Sequence, residues 1–204
     1  MMELKHVHEM ESNRLNLFRQ SSFKLALISI FSALSVVVGY VLVYIPNIEM
    51  FTLFIFLSGF TLGRKDGSIV GILSSFIFVF FNPLGASPLP LLSYQIFHYS
   101  MVGFSGGIVR NYLDKRKSLE NDEDYYSIKN MIIFGTCGAI ITFIYDIFST
   151  YIGGIIVSIK IEYFIASYLS GMIFTTVHLI GNTLGFVFIF PGLAQLTISL
   201  LEQD

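Results

Sequence analysis

This chain has little charge. Asp, Glu, Lys and Arg together make up 13% of its 204 residues, against about 25% in a soluble domain. Mean hydropathy is +0.72. Too few charged groups are present to coat a water-facing globule, so most side chains must face lipid or other helices. The net charge of −2 excludes the strongly basic surface that nucleic-acid binding requires. A single cysteine, Cys137, excludes an internal disulfide and a thiolate metal cluster; it reads as a small packing residue. There is no tryptophan. No GxxxxGK(S/T) phosphate loop and no HExxH metalloprotease string occurs. At 23.0 kDa there is no room for a nucleotide-binding domain beside a membrane part, so uphill movement of a solute by ATP would need an ATPase on another subunit.

What is present is a set of long apolar stretches with a patterned distribution of positive charge. Every Lys and Arg except Lys160 falls in three gaps: the N-terminal region (Lys5, Arg14, Arg19, Lys24), the dipeptide Arg64-Lys65, and the segment from Arg110 to Lys129. The gaps between alternate with these and are nearly free of positive charge. A helix crossing lipid needs about 20 apolar residues, and Lys/Arg-rich loops stay in the cytoplasm. The pattern predicts an all-α, multi-pass protein of the cell membrane, with six transmembrane helices and both termini inside.

The expected organisation is a cytoplasmic tail, residues 1–21, and a membrane domain, residues 22–201, with a cytoplasmic loop at 114–129. Spans are expected from Ser22 to Ile45, Met50 to Gly63, Ser68 to Phe81, Leu91 to Leu113, Asn130 to Ser158 and Met172 to Leu201. The second and third are short for an upright crossing, so they read as tilted or shielded helices. Arg64 to Gly67 is expected as a turn. The proline-rich run Asn82 to Pro90 breaks the helix before it. The first span follows some twenty mostly polar residues and lacks a cleavage site, so it reads as retained. Residues 163–201 exceed one crossing. They divide into an interfacial segment, Tyr163 to Ser170, a break at Gly171 and a last helix in which Pro191 should produce a kink. His6 and His8, near Glu3 and Glu9, read as a solvated tail.

Polar groups at membrane depth are costly and therefore informative. Following the expected topology, they gather toward the outer side: Glu49 and Thr52 around the first outer loop, Asn82 after the third span, Gln95 and His98 in the fourth, Asp146 in the fifth, and His178 and Asn182 in the sixth. Gln95/His98 and His178/Asn182 have the spacing that puts two side chains on one helix face. Polar groups at one depth on several segments point to an outward-facing substrate pocket; scattered bridges between helices are the alternative. Small residues four apart, such as Gly67/Gly71, Gly103/Gly107 and Ser29/Ala33, allow close helix contacts. Ser29/Ala33 is the pair placed for an external partner. The Phe-rich second and third spans read as core and lipid-facing side chains, with an aromatic pocket for a flat ligand as the other reading. Gly103-Phe104-Ser105-Gly106-Gly107 matches the G-x-S-x-G string, but a membrane helix is not the strand-to-helix turn that exposes a nucleophile. No membrane segment pairs His with His, Asp or Glu at metal-ligand spacing, so no metal site, cofactor or catalytic residue is assigned.

The order and spacing of several local patterns resemble the substrate-binding S component of an energy-coupling factor (ECF) vitamin transporter. They are Pro46-Asn47-Ile48-Glu49-Met50-Phe51-Thr52, with Gly59 and Leu62-Gly63; Gly67 to Ser74; Phe81-Asn82-Pro83-Leu84-Gly85; Gln95 and Gly103; Tyr145-Asp146-Ile147; and His178-Leu179-Ile180-Gly181-Asn182. The resemblance spans residues 22–200. It implies capture of a vitamin-like substrate from outside, docking through the first helix on a membrane coupling subunit carried by two cytoplasmic ATPases, and toppling to release substrate inward. The family's Ala-x-x-x-Ala docking pattern is here Ser29-Ile30-Phe31-Ser32-Ala33, with serine in the first place. Two other classes stand beside this one: an intramembrane enzyme using His98, Asp146 and His178, and a small helical channel or scaffold.

Overall fold

The computed structural model describes residues 21–120, 125–157 and 160–202. The tail residues 1–20, with His6 and His8, lie outside them. The described residues form α1 (Ser21–Leu42), α2 (Phe51–Leu62), α3 (Arg64–Phe80), α4 (Leu89–Glu120), α5 (Ile128–Val157), α6 (Ile161–Ser170), α7 (Met172–Leu184), a π-helical turn (Gly185–Ile189) and α8 (Phe190–Glu202), with no strand among them.

Among the described residues, three stretches are long and apolar enough to cross a membrane: Ser22–Leu42, Ile128–Val157 and Met172–Leu201. Their outward side chains are large and apolar. Leu25, Val37, Val41, Ile132, Ile173 and Phe174 are all more than half exposed, a surface unsuited to water but matched to hydrocarbon.

The second apolar stretch has a different role. Every residue of α2 from Phe51 to Phe60 is buried. A helix that is hydrophobic all round belongs in a core, and α2 is enclosed by α1, α3, α4 and α8. Its length of 12 residues gives about 18 Å at 1.5 Å per residue. Because its neighbours shield it, it is not bound by the length a lipid-exposed helix needs. Its rings hold the centre together: Phe56 meets Phe186 and Phe190 edge-on at 5.1 and 5.2 Å, and Phe60 meets Phe134 at 5.9 Å. In α3, by contrast, Phe76 and Phe80 face outward.

Three boundaries differ from the sequence expectation. Residues 64–67 are not a turn but the first turn of α3; Gly63 alone reverses the chain, with φ of 93°, a conformation that only glycine adopts readily. Gly67 serves close approach instead. A Cβ there would strike the backbone of Gly59, and one on Gly59 would strike the Gly103 carbonyl. Second, α4 continues through Asp114 to Glu120 rather than ending in a linker. Arg110 Nε donates to Asp114 one turn on, at 2.9 Å, a pair that supports helix. Third, α1 ends at Leu42 and the chain passes through turns before Pro46.

The break at Gly171 is observed. Ahead of Pro191 the helix widens into the π turn, where Phe190 N–H reaches Gly185 O. Proline has no N–H and crowds the preceding turn, and a π turn is a common way to absorb such a fault. Ser105 lies within α4 and its hydroxyl donates to Val102 O at 2.7 Å. A Cβ on Gly106 would strike the Phe56 carbonyl and one on Gly107 the Arg64 backbone, so these glycines serve helix packing.

Candidate functional site

The two ends of the bundle carry different chemistry. At one end, hereafter the polar end, the α1–α2 connection, α2, α4, α5 and α7 bring polar side chains together. The chain reaches Glu49 through Asn47, which takes the left-handed conformation (φ 58°) that asparagine tolerates better than most residues. The Glu49 carboxylate then serves the start of α2. Its Oε2 accepts the Thr52 N–H at 2.8 Å, satisfying one of the amide groups that a helix N-terminus leaves unpaired, where negative charge is also favoured.

Glu49 Oε1 accepts from Asn182 Nδ2 at 2.8 Å and lies 3.6 Å from His178 Nε2. Asn182 Nδ2 also reaches Thr142 Oγ1 at 2.9 Å. On the other side of the imidazole, His178 Nδ1 meets Asp146 Oδ1 at 2.8 Å. One histidine therefore stands between two carboxylates from different segments. His178 and Asn182 share a face of α7 and are the two buried residues of that helix, as their spacing of four predicts.

Gln95 and His98 join from α4. Gln95 Nε2 donates to Tyr145 OH at 2.9 Å. The Tyr145 ring lies 5.1 Å from that of His98, 5.7 Å from that of Tyr99 and 6.1 Å from that of His178. Tyr145 is thus the hub between the α4 residues and the Glu49–His178–Asp146 group. Tyr94 OH donates to Ile144 O at 3.2 Å and lies 3.5 Å from His98 Nδ1.

Gln95, His98 and Asp146 are each more than nine-tenths buried, yet Gln95 Oε1, His98 Nε2 and Asp146 Oδ2 have no hydrogen-bond partner in the structure. Native proteins leave few buried polar atoms unpaired, and each one calls for an explanation.

The fold therefore gathers Glu49, Thr52, Gln95, His98, Asp146, His178 and Asn182, and does not bring in Asn82. That side chain accepts the Leu84 N–H at 2.9 Å, an Asx turn that shapes the α3–α4 connection. Sequence reasoning assigned no role here to Thr142, Tyr94, Tyr99 or Tyr145. A signal for two of them was available: Thr142 lies four residues before Asp146, and Tyr94 four before His98.

The opposite end holds the described members of the basic gaps. Lys24 and Asp66 pair at 2.9 Å, tying the start of α1 to the start of α3. Arg110 donates to Tyr125 OH at 2.6 Å and lies 5.4 Å from the Phe60 ring centre. A cavity of about 640 Å³ opens among Lys24, Asp66, Arg110, Asn111 and Asp114. Among the described residues no group of three His, Cys, Asp or Glu side chains is arranged to hold a metal ion. On α1, Ser29 and Ala33 are exposed, and the Ser29 hydroxyl is turned back onto Leu25 O at 2.9 Å.

The class that these features define is an all-helical protein with the composition and spans of a membrane protein. No family model matches the chain, and neither a curated protein nor a solved structure does.

Proposed function

We propose that this chain is the substrate-binding S component of an ECF-type importer in the cell membrane. It crosses six times with both termini inside. It captures a vitamin-like micronutrient from outside and delivers it inward after docking on a coupling subunit with two cytoplasmic ATPases. The chain itself is not an enzyme. In this reading α2, α3 and α4 complete the count of six crossings, α2 as a shielded helix, the polar end faces outward, and the basic end faces the cytoplasm.

The observation that carries the reading is the gathering of buried Gln95, His98, Asp146, His178 and Asn182, with Glu49, at the end away from the Lys/Arg-bearing turns. A few placed polar groups in apolar surroundings are what orient a small ligand. The second support is the exposed apolar face of α1, where Ser29 and Ala33 leave a shallow strip between Leu25, Ile30 and Val37. Small residues let another helix approach closely in lipid.

The enzyme reading has one element in its favour, the Asp146–His178 pair at 2.8 Å, which resembles a base and its orienting carboxylate. The other imidazole nitrogen, however, faces Glu49 and Asn182, not a hydroxyl or thiol nucleophile.

The test is affinity purification of the tagged full chain from its own membranes, with the co-purifying proteins identified by mass spectrometry. A membrane coupling subunit and two ATPases are expected, and Ala33→Trp should reduce their recovery while the isolated variant remains folded. Absence of ATPases from the wild-type preparation would remove the transporter reading. Unchanged recovery with Ala33→Trp would remove α1 as the docking face.

A further inference from the structure

We infer that a cavity between the start of α3 and the end of α4, at the basic end, holds the headgroup of an anionic phospholipid, with Arg64 and Lys115 as its cations. The inference rests on the membrane class of the chain and not on the transporter reading, so either can fail without the other.

The cations of this end divide by what they face. Lys24 pairs with Asp66 at 2.9 Å. Arg110 pairs with Asp114 at 2.9 Å and donates to the Tyr125 hydroxyl at 2.6 Å. The cavity that Lys24, Asp66, Arg110 and Asp114 line therefore carries balanced charge. A second cavity, of about 620 Å³, opens among Arg64, Ile108, Asn111, Tyr112, Asp114 and Lys115. It is lined by two cations and one carboxylate, and that carboxylate is the one Arg110 already holds. Neither Arg64 nor Lys115 has an ion-pair partner among the described residues. The Arg64 guanidinium lies 6.0 Å from the Phe104 ring centre. A guanidinium and an ammonium beside a carboxylate that is already neutralised favour a phosphate, which takes charge-assisted hydrogen bonds from both. Asn111 and Tyr112 bring neutral donors to the same space.

The approach to the cavity selects a lipid over a soluble anion. Phe104, Ile108 and Tyr112 recur every four residues along α4 and so share one face. All three are exposed. This apolar strip suits an acyl chain. It leads to Tyr112 and, three residues on, to Lys115, an aromatic and a cation of the kinds that sit where hydrocarbon meets headgroups. A soluble anion would use the cations and leave the strip bare. Basic pockets between helices recognise anionic headgroups in this way.

Native mass spectrometry of the full chain in neutral detergent reads the binding, with phosphatidylglycerol and phosphatidylcholine of the same acyl chains as probes. Phosphatidylglycerol should bind about tenfold more tightly, since each cation near an anionic headgroup is worth about fivefold. Arg64→Gln and Lys115→Gln should each weaken phosphatidylglycerol about fivefold and together remove the preference. Both side chains are exposed, so the variants should keep the wild-type unfolding midpoint without lipid and bind phosphatidylcholine as the wild type does. Lys65→Gln removes the next cation in the chain, which does not line the cavity, and should change binding less than about twofold. Equal binding of the two lipids overturns the inference. So does a preference that survives the double substitution, or one that Lys65→Gln reduces as much as Arg64→Gln does. Inorganic phosphate at millimolar concentration should leave the unfolding midpoint in detergent unchanged, whereas phosphatidylglycerol should raise it. An equal rise with both assigns the cavity to a soluble anion and overturns the lipid.

Discussion

The two ends of this bundle both hold ion pairs, but in different dielectric surroundings. At the basic end the Lys24 side chain is 44% exposed, while its partner Asp66 is 11% exposed and lines an open cavity. At the polar end His178 and Asp146 are each about 10% exposed and bonded on several sides. Exposed pairs are screened and contribute little, typically under about 1 kcal/mol. Buried ones are costly to break, because the abandoned partner is left charged and dry. The basic end combines close backbone contact between helices with a pair whose cation is exposed, while the polar end is held by buried side-chain hydrogen bonds.

The largest effect should come from breaking the polar end at its centre. His178→Leu leaves Glu49 and Asp146 without their shared partner, and should lower ligand-free stability by about 3–5 kcal/mol. The unfolding midpoint in detergent measures this. A shift no larger than that of an exposed pair would mean that the group is wet, and the contrast between the ends would fail.

A smaller effect should follow from crowding the basic end. Gly107→Ala places a Cβ against the Arg64 backbone, where nothing can rotate away, and should cost about 1–3 kcal/mol. The matched control is Gly181→Ala on α7, whose nearest neighbour is Asn47 O at 3.9 Å. Ordinary contact and better helix propensity should make it neutral or stabilising by about 0.5–1 kcal/mol. Equal losses at the two glycines would show that backbone approach does not distinguish the ends.

The smallest effect belongs to the pair whose cation is exposed and whose carboxylate lines the open cavity. Lys24→Met should change stability by less than about 1 kcal/mol, read from the same midpoint. A larger loss would show that the cavity is shielded from solvent. The direction in which the ends face is a separate measurement. In a Cys137→Ser background, Gly85→Cys should react with an impermeant thiol reagent in intact cells and Ser118→Cys only after permeabilisation; the reverse would invert the topology.

How much was legible beforehand follows from the range of each interaction. Helix positions and the polar set depend on local pattern. Apolar runs, breakers such as Pro46, Gly171 and Pro191, and pairs spaced three or four apart all act within one or two helical turns, so the sequence by itself determined an all-helical, membrane-type chain and the residues Gln95, His98, Asp146, His178 and Asn182 as a candidate set. Asn82 was grouped with them because depth along the chain does not distinguish a side chain that closes its own turn from one that reaches across the bundle. Arg64 to Gly67 looked like a turn because glycine and charge mark turns in general; only the contact of Gly67 with Gly59 and Gly103 reveals that this glycine is there for packing.

What only the tertiary structure decided is which groups meet. The packing of α2 against α4 and α8, His178 between Glu49 and Asp146, and Tyr145 between Gln95 and the α7 residues are all contacts between segments far apart in sequence. No local periodicity encodes such partners, because they depend on how whole helices pack side by side. The atoms left unpaired at Gln95, His98 and Asp146 become visible only after every other donor and acceptor around them has been placed.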